Sequence, residues 1–324
     1  MDPIPGIAPS VALAVAGLAL VVFFAQRLVE GVVRTSRGFG VSTFLVAVVF
    51  VGFDPENLAV GAAGSYERVF GIALGSIVGA AMVATALAFG VTALLAPMRF
   101  RRAPRRVLAV GPLSVLLAGA LAFDGTLSRA DGAALLVAYA AAVVYLYLLG
   151  RRGVRVEPGG EVAEVLAEDE PRRPWRSLAR LLVSLAAIVA GSELLVAGSR
   201  TIIAGLGLSE TAYGMTILAL LVSAEELARE LPAALRGRSE ISFGNVLGSM
   251  MAFFLFNAGV IALVRPVEVP GEVLRFHLPV ALATSVFLSA LAARRTIPRW
   301  AGGALLAAYA AFVAGSFLDG LPPP

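Results

Sequence analysis

The chain contains no cysteine and no lysine, and only one histidine, His277. The first absence excludes disulfides and thiolate metal sites. The second excludes Schiff-base chemistry and the lysine-dependent P-loop. A single imidazole cannot build a multi-histidine metal centre, and His277, close to an expected helix start, is read as structural. Charge is scarce as well. Only 15% of the 324 residues are charged, where a soluble domain carries about 25%.

What is present is oil. The chain is 59% hydrophobic, with a mean hydropathy of +0.87. Apolar runs recur at Val11–Phe24, Val107–Phe123, Ala133–Leu149, Leu178–Ala190 and Val280–Ala293. Runs of this kind mark membrane-spanning helices. The first is read as a retained helix, because a basic leader and a small-residue cleavage site are lacking. Ten spans are expected, at roughly 9–29, 41–64, 70–96, 106–124, 131–150, 177–204, 209–235, 241–264, 273–293 and 299–318.

Arginine placement supports that count. All 26 basic residues are arginine. Twenty fall in or beside the loops after the odd-numbered spans, five on the opposite side (Arg68, Arg129, Arg200, Arg265 and Arg275), and Arg229 alone lies away from the end of a span. By the positive-inside rule both termini are extracytoplasmic. The chain is thus expected to be an all-α, multi-pass protein of the cell membrane, with the lipid bilayer as its main partner. Its formal charge of +4 sits in loops and does not point to nucleic acid. The sequence is compatible with a monomer but does not name the oligomeric state.

The longest polar segment, 151–176, mixes acidic, Pro and Gly residues and reads as a cytoplasmic linker. It separates residues 1–150 from 177–324, and the two halves share a pattern. Gly38-Phe39-Gly40-Val41-Ser42, an acidic stretch and Gly71-Ile72-Ala73-Leu74-Gly75-Ser76-Ile77-Val78-Gly79 occur in the first. Gly205-Leu206-Gly207-Leu208-Ser209, an acidic stretch and Gly244-Asn245-Val246-Leu247-Gly248-Ser249 occur in the second. Five spans per half is an odd number, so the halves must insert with opposite topology. Inverted repeats with interrupted helices at the midplane are the architecture of secondary transporters. Pro55, Pro232 and the glycine pairs of spans 3 and 8 are the expected interruptions.

These residues resemble the alpha-repeat of the sodium/calcium exchanger (cation/calcium antiporter) family. Gly207-Leu208-Ser209-Glu210, Gly214-Met215-Thr216, Ser223, Glu226-Leu227, Gly244-Asn245 and Gly248-Ser249 match it in register. The resemblance covers nearly the whole chain and identifies a divergent prokaryotic member. It implies secondary-active antiport of Ca²⁺ or another divalent cation against Na⁺ by alternating access. Ca²⁺ and Na⁺ are then transported ions, and no organic cofactor is implied. The departures are Val222 and Glu225 in place of Thr and Pro, and Ala80, Ala81 and Met250 where the family offers oxygen to a cation.

With Gly75 set against Gly244, Asp54 meets Ser223, Glu56 meets Glu225, Asn57 meets Glu226, Gly61 meets Glu230 and Ser76 meets Asn245. Either Glu56 or Asn57 takes the place of the family glutamate in the first repeat. Ser223, Glu226 and Glu230 are spaced to share a helix face, and Glu225 and Arg229 form a neighbouring i, i+4 pair. The expected site is Asp54, Glu56, Asn57, Ser76, Ser223, Glu226, Glu230, Asn245 and Ser249. Arg229 is expected to neutralise Glu225 outside the ion shell. Hard cations take oxygen ligands of these types, and an uncompensated carboxylate at mid-membrane costs roughly 2.5–3.5 kcal/mol. The bland alternatives are a solvated cytoplasmic helix end for Glu226 and a plain Asp-Pro helix break for Asp54. Gln26 and Glu193 stand at equivalent places in spans 1 and 6, and Glu193 either lines an ion path or meets a polar partner.

No motif of an intramembrane enzyme is present, so the chain is not expected to be one. The competing readings are a proton-coupled cation exchanger and a degenerate, non-transporting relative.

Overall fold

The computed structural model describes residues 6–38, 54–100, 105–151 and 174–318. The first part of the expected second span and most of the expected linker lie outside the described residues. The described chain is helical apart from two short two-stranded ribbons. In lipid a helix satisfies its backbone polar groups internally, which is why these apolar segments fold this way.

The helices are α1 (Ile7–Gly38), α2 (Pro55–Tyr66), α3 (Phe70–Leu95) and α4 (Val110–Asp124). They continue with α5 (Arg129–Arg151), α6 (Pro174–Leu206), α7 (Glu210–Val222) and α8 (Glu225–Leu235). The last are α9 (Ser239–Val264), α10 (Val273–Ala293) and α11 (Arg299–Leu318). Seven of these are long and apolar enough to cross a membrane, and α7 with α8 makes an eighth span bent by 52°. α4 is a shorter apolar helix, and α2 is the described end of its expected span.

Burial separates a centre from a periphery. The most apolar stretches of α3 and α9 are 94% and 83% buried, whereas that of α1 is 22% buried. α3 and α9 therefore form the middle, joined by α2, α7 and α8. Backbone approaches there are too close for side chains. A Cβ on Gly75 would collide with the backbone of Gly214, and one on Gly71 with that of Glu210. Small residues at such crossings are how membrane helices pack without a hydrophobic drive between them. On the outside α1 runs along α6, with Gly17 against Gly191. Trp175 and Trp300 are exposed near helix ends, as interfacial anchors should be.

Features of the first half recur in the second at a nearly constant spacing, that of Gly75 to Gly244. Strands β1 (Met98–Arg99) and β4 (Thr296–Ile297) pair antiparallel, as do β2 (Thr126–Leu127) and β3 (Val267–Glu268). At that spacing β3 is the counterpart of β1 and β4 the counterpart of β2. Gly90 packs on Gly302, and Gly132 packs on Gly259; here Gly259 is the counterpart of Gly90, and Gly302 of Gly132. The left-handed residues correspond in the same way, Arg68 to Gly237 and Gly125 to Arg295. So do the π-helical turns Val83–Ala88 in α3 and Ala252–Asn257 in α9.

The expected interruptions differ in detail. Pro55 opens α2 at its first turn, where no N–H partner is needed. Pro232, however, lies inside α8. The bend falls at Ser223–Ala224, where Ser223 leaves helical geometry with φ −100° and ψ 17°. The glycine-rich stretches do not break their helices. Gly75–Gly79 is a π-helical turn within α3, while the equivalent Gly244–Gly248 stays α-helical.

Candidate cation site

Two helix starts face each other inside the bundle. Asp54 is the N-cap of α2, and its Oδ1 accepts the backbone N–H of Asn57 at 2.8 Å. Asp-Pro-Glu at a helix start supplies a cap, a residue that needs no donor partner and a carboxylate near the positive end of the helix. The Asn57 amide donates to Asp54 Oδ2 at 2.9 Å and to Ser223 Oγ at 2.8 Å. One amide thus ties the start of α2 to the bend between α7 and α8. Its other atom, Oδ1, is buried without a hydrogen-bond partner among the described residues.

The start of α8 carries the charge. Glu226 is fully buried and accepts from Asn245 Nδ2 at 3.1 Å and Ser249 Oγ at 3.4 Å, both on α9. Glu230, one turn further, is also fully buried, and neither of its oxygens has a hydrogen-bond partner among the described residues. Glu56 on α2 is 1% exposed, and its oxygens likewise have no hydrogen-bond partner among the described residues. One carboxylate oxygen each from Asp54, Glu56 and Glu225 lie within 4.8 Å of one another. Buried polar atoms without partners are rare in folded proteins. Here they cluster where acceptor-only groups from two helix starts converge, which is the donor set of a hard cation.

Seven of the nine expected residues, Asp54, Glu56, Asn57, Ser223, Glu226, Glu230 and Ser249, are buried in α2, α8, α9 and the bend, and Asn245 is partly buried. Ser76 is buried in the π turn of α3 beside Gly61, and no hydrogen bond among the described residues joins it to the others. The shared face expected for Ser223, Glu226 and Glu230 divides at the bend. Ser223 turns to Asn57, whereas Glu226 turns to α9. Burial and these partners oppose a solvated helix end for Glu226. Asp54 does cap a helix at an Asp-Pro break, and its carboxylate also belongs to the cluster.

Arg229 corrects a second expectation. It does pair with Glu225, at 2.7 Å. It also reaches Glu226 at 3.5 Å, so it stands among the site's acids rather than outside them. Glu225 itself is not among the expected ligands. Its signal in the sequence is its equivalence to Glu56 in the repeat. Asn257 also lies outside the expected set: it is fully buried at the end of the α9 π turn, and neither amide atom has a hydrogen-bond partner among the described residues. An asparagine inside the apolar run 250–264 is its signal.

The positions expected to lack oxygen are indeed interior. Ala80, Ala81 and Met250 are 0–1% exposed, and Met250 sulfur lies beside Gly111 on α4. Gln26 and Glu193 are exposed on the outer faces of α1 and α6. His277 is buried, bonding Ser316 Oγ at 2.8 Å and the Glu272 carbonyl at 3.3 Å, a tie between α10 and α11.

Comparisons with known proteins bear on the fold and the family. The model of the family described as sodium/calcium exchanger protein matches residues 9–148 and 176–318. The chain is 29% identical to inner membrane protein YrbG of Escherichia coli over 295 residues, covering 88% of this chain and 89% of that one. It is 26% identical to sodium/calcium exchanger MaX1 of Methanosarcina acetivorans over 333 residues, covering 92% and 95%. Among solved structures, the sodium-calcium exchanger NCX_Mj soaked with Na⁺ and Sr²⁺ superposes with a TM-score of 0.60 at 26% identity, covering 95% of this chain and 98% of that one. The same exchanger soaked with Na⁺ and Ca²⁺ gives 0.59 at 26%, covering 94% and 98%. This multi-pass, all-helical membrane chain, with its buried acids on two facing helix starts, belongs to the sodium/calcium exchanger family.

Proposed function

We propose that the chain is a secondary-active antiporter that exchanges Ca²⁺, or another divalent cation, against Na⁺ by alternating access. One observation carries the reading. Glu56 and Glu230, from opposite halves, are buried, and among the described residues all four carboxylate oxygens lack a hydrogen-bond partner, within a cluster of Asp54, Glu225 and Glu226. Buried charge without compensation is too costly to persist in a membrane, and a transient divalent cation supplies the compensation. Asp54, Glu56, Asn57, Ser223, Glu226, Glu230, Asn245 and Ser249 are the proposed ligands, with Ser76 lining the approach.

The architecture we infer is two inverted five-helix halves, residues 1–150 and 177–324, joined by a cytoplasmic linker at 151–176. Both termini are extracytoplasmic, as the arginine split requires. The exchange of β1–β4 with β3–β2 and of Gly90–Gly302 with Gly259–Gly132 supports a pseudo-two-fold relation between halves. So does the family match to one stretch in each half. Rocking of such halves about a central site is the general mode of these folds. The α3–α7 glycine crossing is a smooth surface on which movement occurs without unlocking side chains.

A proton-coupled exchanger is the second reading. It is favoured by the buried Ala80, Ala81 and Met250, which leave carboxylates as the main ligands. Ca²⁺ uptake into proteoliposomes separates the two. Uptake driven by an outward Na⁺ gradient at equal pH supports the first reading. Uptake that needs a pH gradient and ignores Na⁺ overturns it in favour of the second. No uptake of Ca²⁺, or of Sr²⁺ or Mn²⁺ in its place, under either gradient overturns both and leaves a non-transporting relative.

A further inference from the structure

We propose that Arg229 is a resident cation of the site: its guanidinium fills one cation position permanently and divides the acids into two subsites. The inference rests on the reading of this cluster as a cation site.

The first subsite is Asp54, Glu56 and Glu225, whose carboxylate oxygens lie within 4.8 Å of one another. The buried, unpartnered carboxylate of Glu56 is aimed into it. The second is Glu226 with Asn245 and Ser249, beside the unpartnered Glu230. Arg229 stands between the two. One guanidinium nitrogen meets Glu225 at 2.7 Å and the other meets Glu226 at 3.5 Å. Its side chain is 12% exposed, so water does little to screen it.

Guanidinium suits this role. It is always charged and presents only donors, in a planar fork that spans two carboxylates. To the acids it is a cation that cannot leave. The first half has no counterpart, because Val60, the residue equivalent to Arg229 in the repeat, is fully buried and apolar. The tethered charge therefore enters from one half only. The consequence is a fixed deduction from the exchange stoichiometry. One carboxylate charge is always neutralised, so fewer monovalent cations compete for the site than its five acids would admit. The guanidinium also bars a single cation from bridging Glu225 and Glu226, which keeps the two subsites distinct.

The test is equilibrium binding of Ca²⁺ to the purified full-length chain in detergent, titrated at a series of Na⁺ concentrations. Linkage makes the Na⁺ dependence of Ca²⁺ affinity a count of competing ions. In R229Q a cation position becomes free, and each tenfold rise in Na⁺ weakens Ca²⁺ binding by about tenfold more than in the wild type. Free guanidinium salt added to R229A restores the wild-type dependence. R229K keeps a charge in place and keeps the wild-type dependence as well.

An unchanged Na⁺ dependence in monodisperse R229Q overturns the proposal. If R229Q does not yield folded protein, R229K decides: a steepened Na⁺ dependence there overturns it equally, and the wild-type dependence supports it. Binding does not require turnover. A wild type that binds both ions but carries neither sinks the antiporter reading while Arg229 is still tested.

Discussion

The two halves of the chain meet one local problem, a helix that starts inside the bundle, with different chemistry. At Asp54 the first half closes its helix start on itself. The carboxylate caps α2 through the Asn57 backbone, and the Asn57 side chain takes its second oxygen. At the equivalent Ser223 the second half leaves the break open. No side chain caps α8, and the residue that would do so is Ala224. Instead α8 brings Glu225, Glu226 and Glu230, then holds the first two with Arg229. The first half supplies two acids and the hydrogen bonds that order the site, and the second supplies three acids and the arginine that pairs with two of them. A pseudo-symmetric scaffold can thus carry an asymmetric site, because backbone geometry and side-chain chemistry change independently along the repeat.

The backbone part of that comparison breaks most visibly at equivalent glycines, Gly75 and Gly244. A Cβ on Gly75 would strike the Gly214 backbone, while one on Gly244 meets open space. Gly75→Ala is expected to cost about 3 kcal/mol or more, the upper range for forced overpacking, and to cut the yield of monodisperse protein sharply. Gly244→Ala is expected to leave thermal stability and flux at wild-type levels. Equal behaviour of the two in a thermal-shift assay would sink the assigned packing.

The charge part breaks at Glu226. Removing even an outer partner of a metal ligand costs about 10–100-fold, so Glu226→Gln is expected to lower Ca²⁺ affinity by about 100-fold. Calorimetric titration of the folded variant reads it. Affinity within a few-fold of wild type would remove Glu226 from the site. The order-giving half responds less. Asn57→Ala takes a donor from Asp54 Oδ2 and from Ser223, yet Asp54 keeps the Asn57 backbone N–H. A buried hydrogen bond of about 1–1.5 kcal/mol corresponds to about a tenfold loss of affinity. A loss as large as that of Glu226→Gln would erase the difference between the ordering role of Asn57 and the charge of Glu226.

Much of this is legible in the sequence alone. Hydropathy locates most of the described helices within a few residues, because burial in lipid needs long apolar runs whatever the tertiary contacts, although α1 runs nine residues past its expected end. The acidic stretches stand out for the same reason: Asp54, Glu226 and Glu230 are costly in a membrane. Their partners are less legible. Helical spacing carries across Ser223 as though the helix were straight, and the 52° bend sends Ser223 and Glu226 to different neighbours. Glu225 and Arg229 look like a local pair, since spacing shows i, i+4 and not the 3.5 Å reach to Glu226. The π turns in α3 and α9 are invisible for a related reason. They shift the helical register by packing, with no residue type that announces them. Pro232 announces a break that α8 absorbs.

The smallest effect is the sharpest on the equivalence of Ser76 and Asn245, which the repeat sets opposite each other. Asn245 donates to Glu226 at 3.1 Å. Ser76 sits in a π turn, and its Cβ lies 3.0 Å from where a Cβ on Gly61 would be. It therefore faces the one position on α2 whose counterpart is Glu230, with only glycine opposite. Asn245→Ala removes a donor from a buried carboxylate and is expected to weaken Ca²⁺ binding about five-fold, within the range of one net hydrogen bond. Ser76→Ala removes a hydroxyl with no hydrogen bond to the other site residues and is expected to change affinity by less than about two-fold, as a side chain off the ligand shell should. Equal losses in the two variants would bring Ser76 into the first half's share of ligands, and the site would then draw on both halves more evenly than the structure's contacts imply.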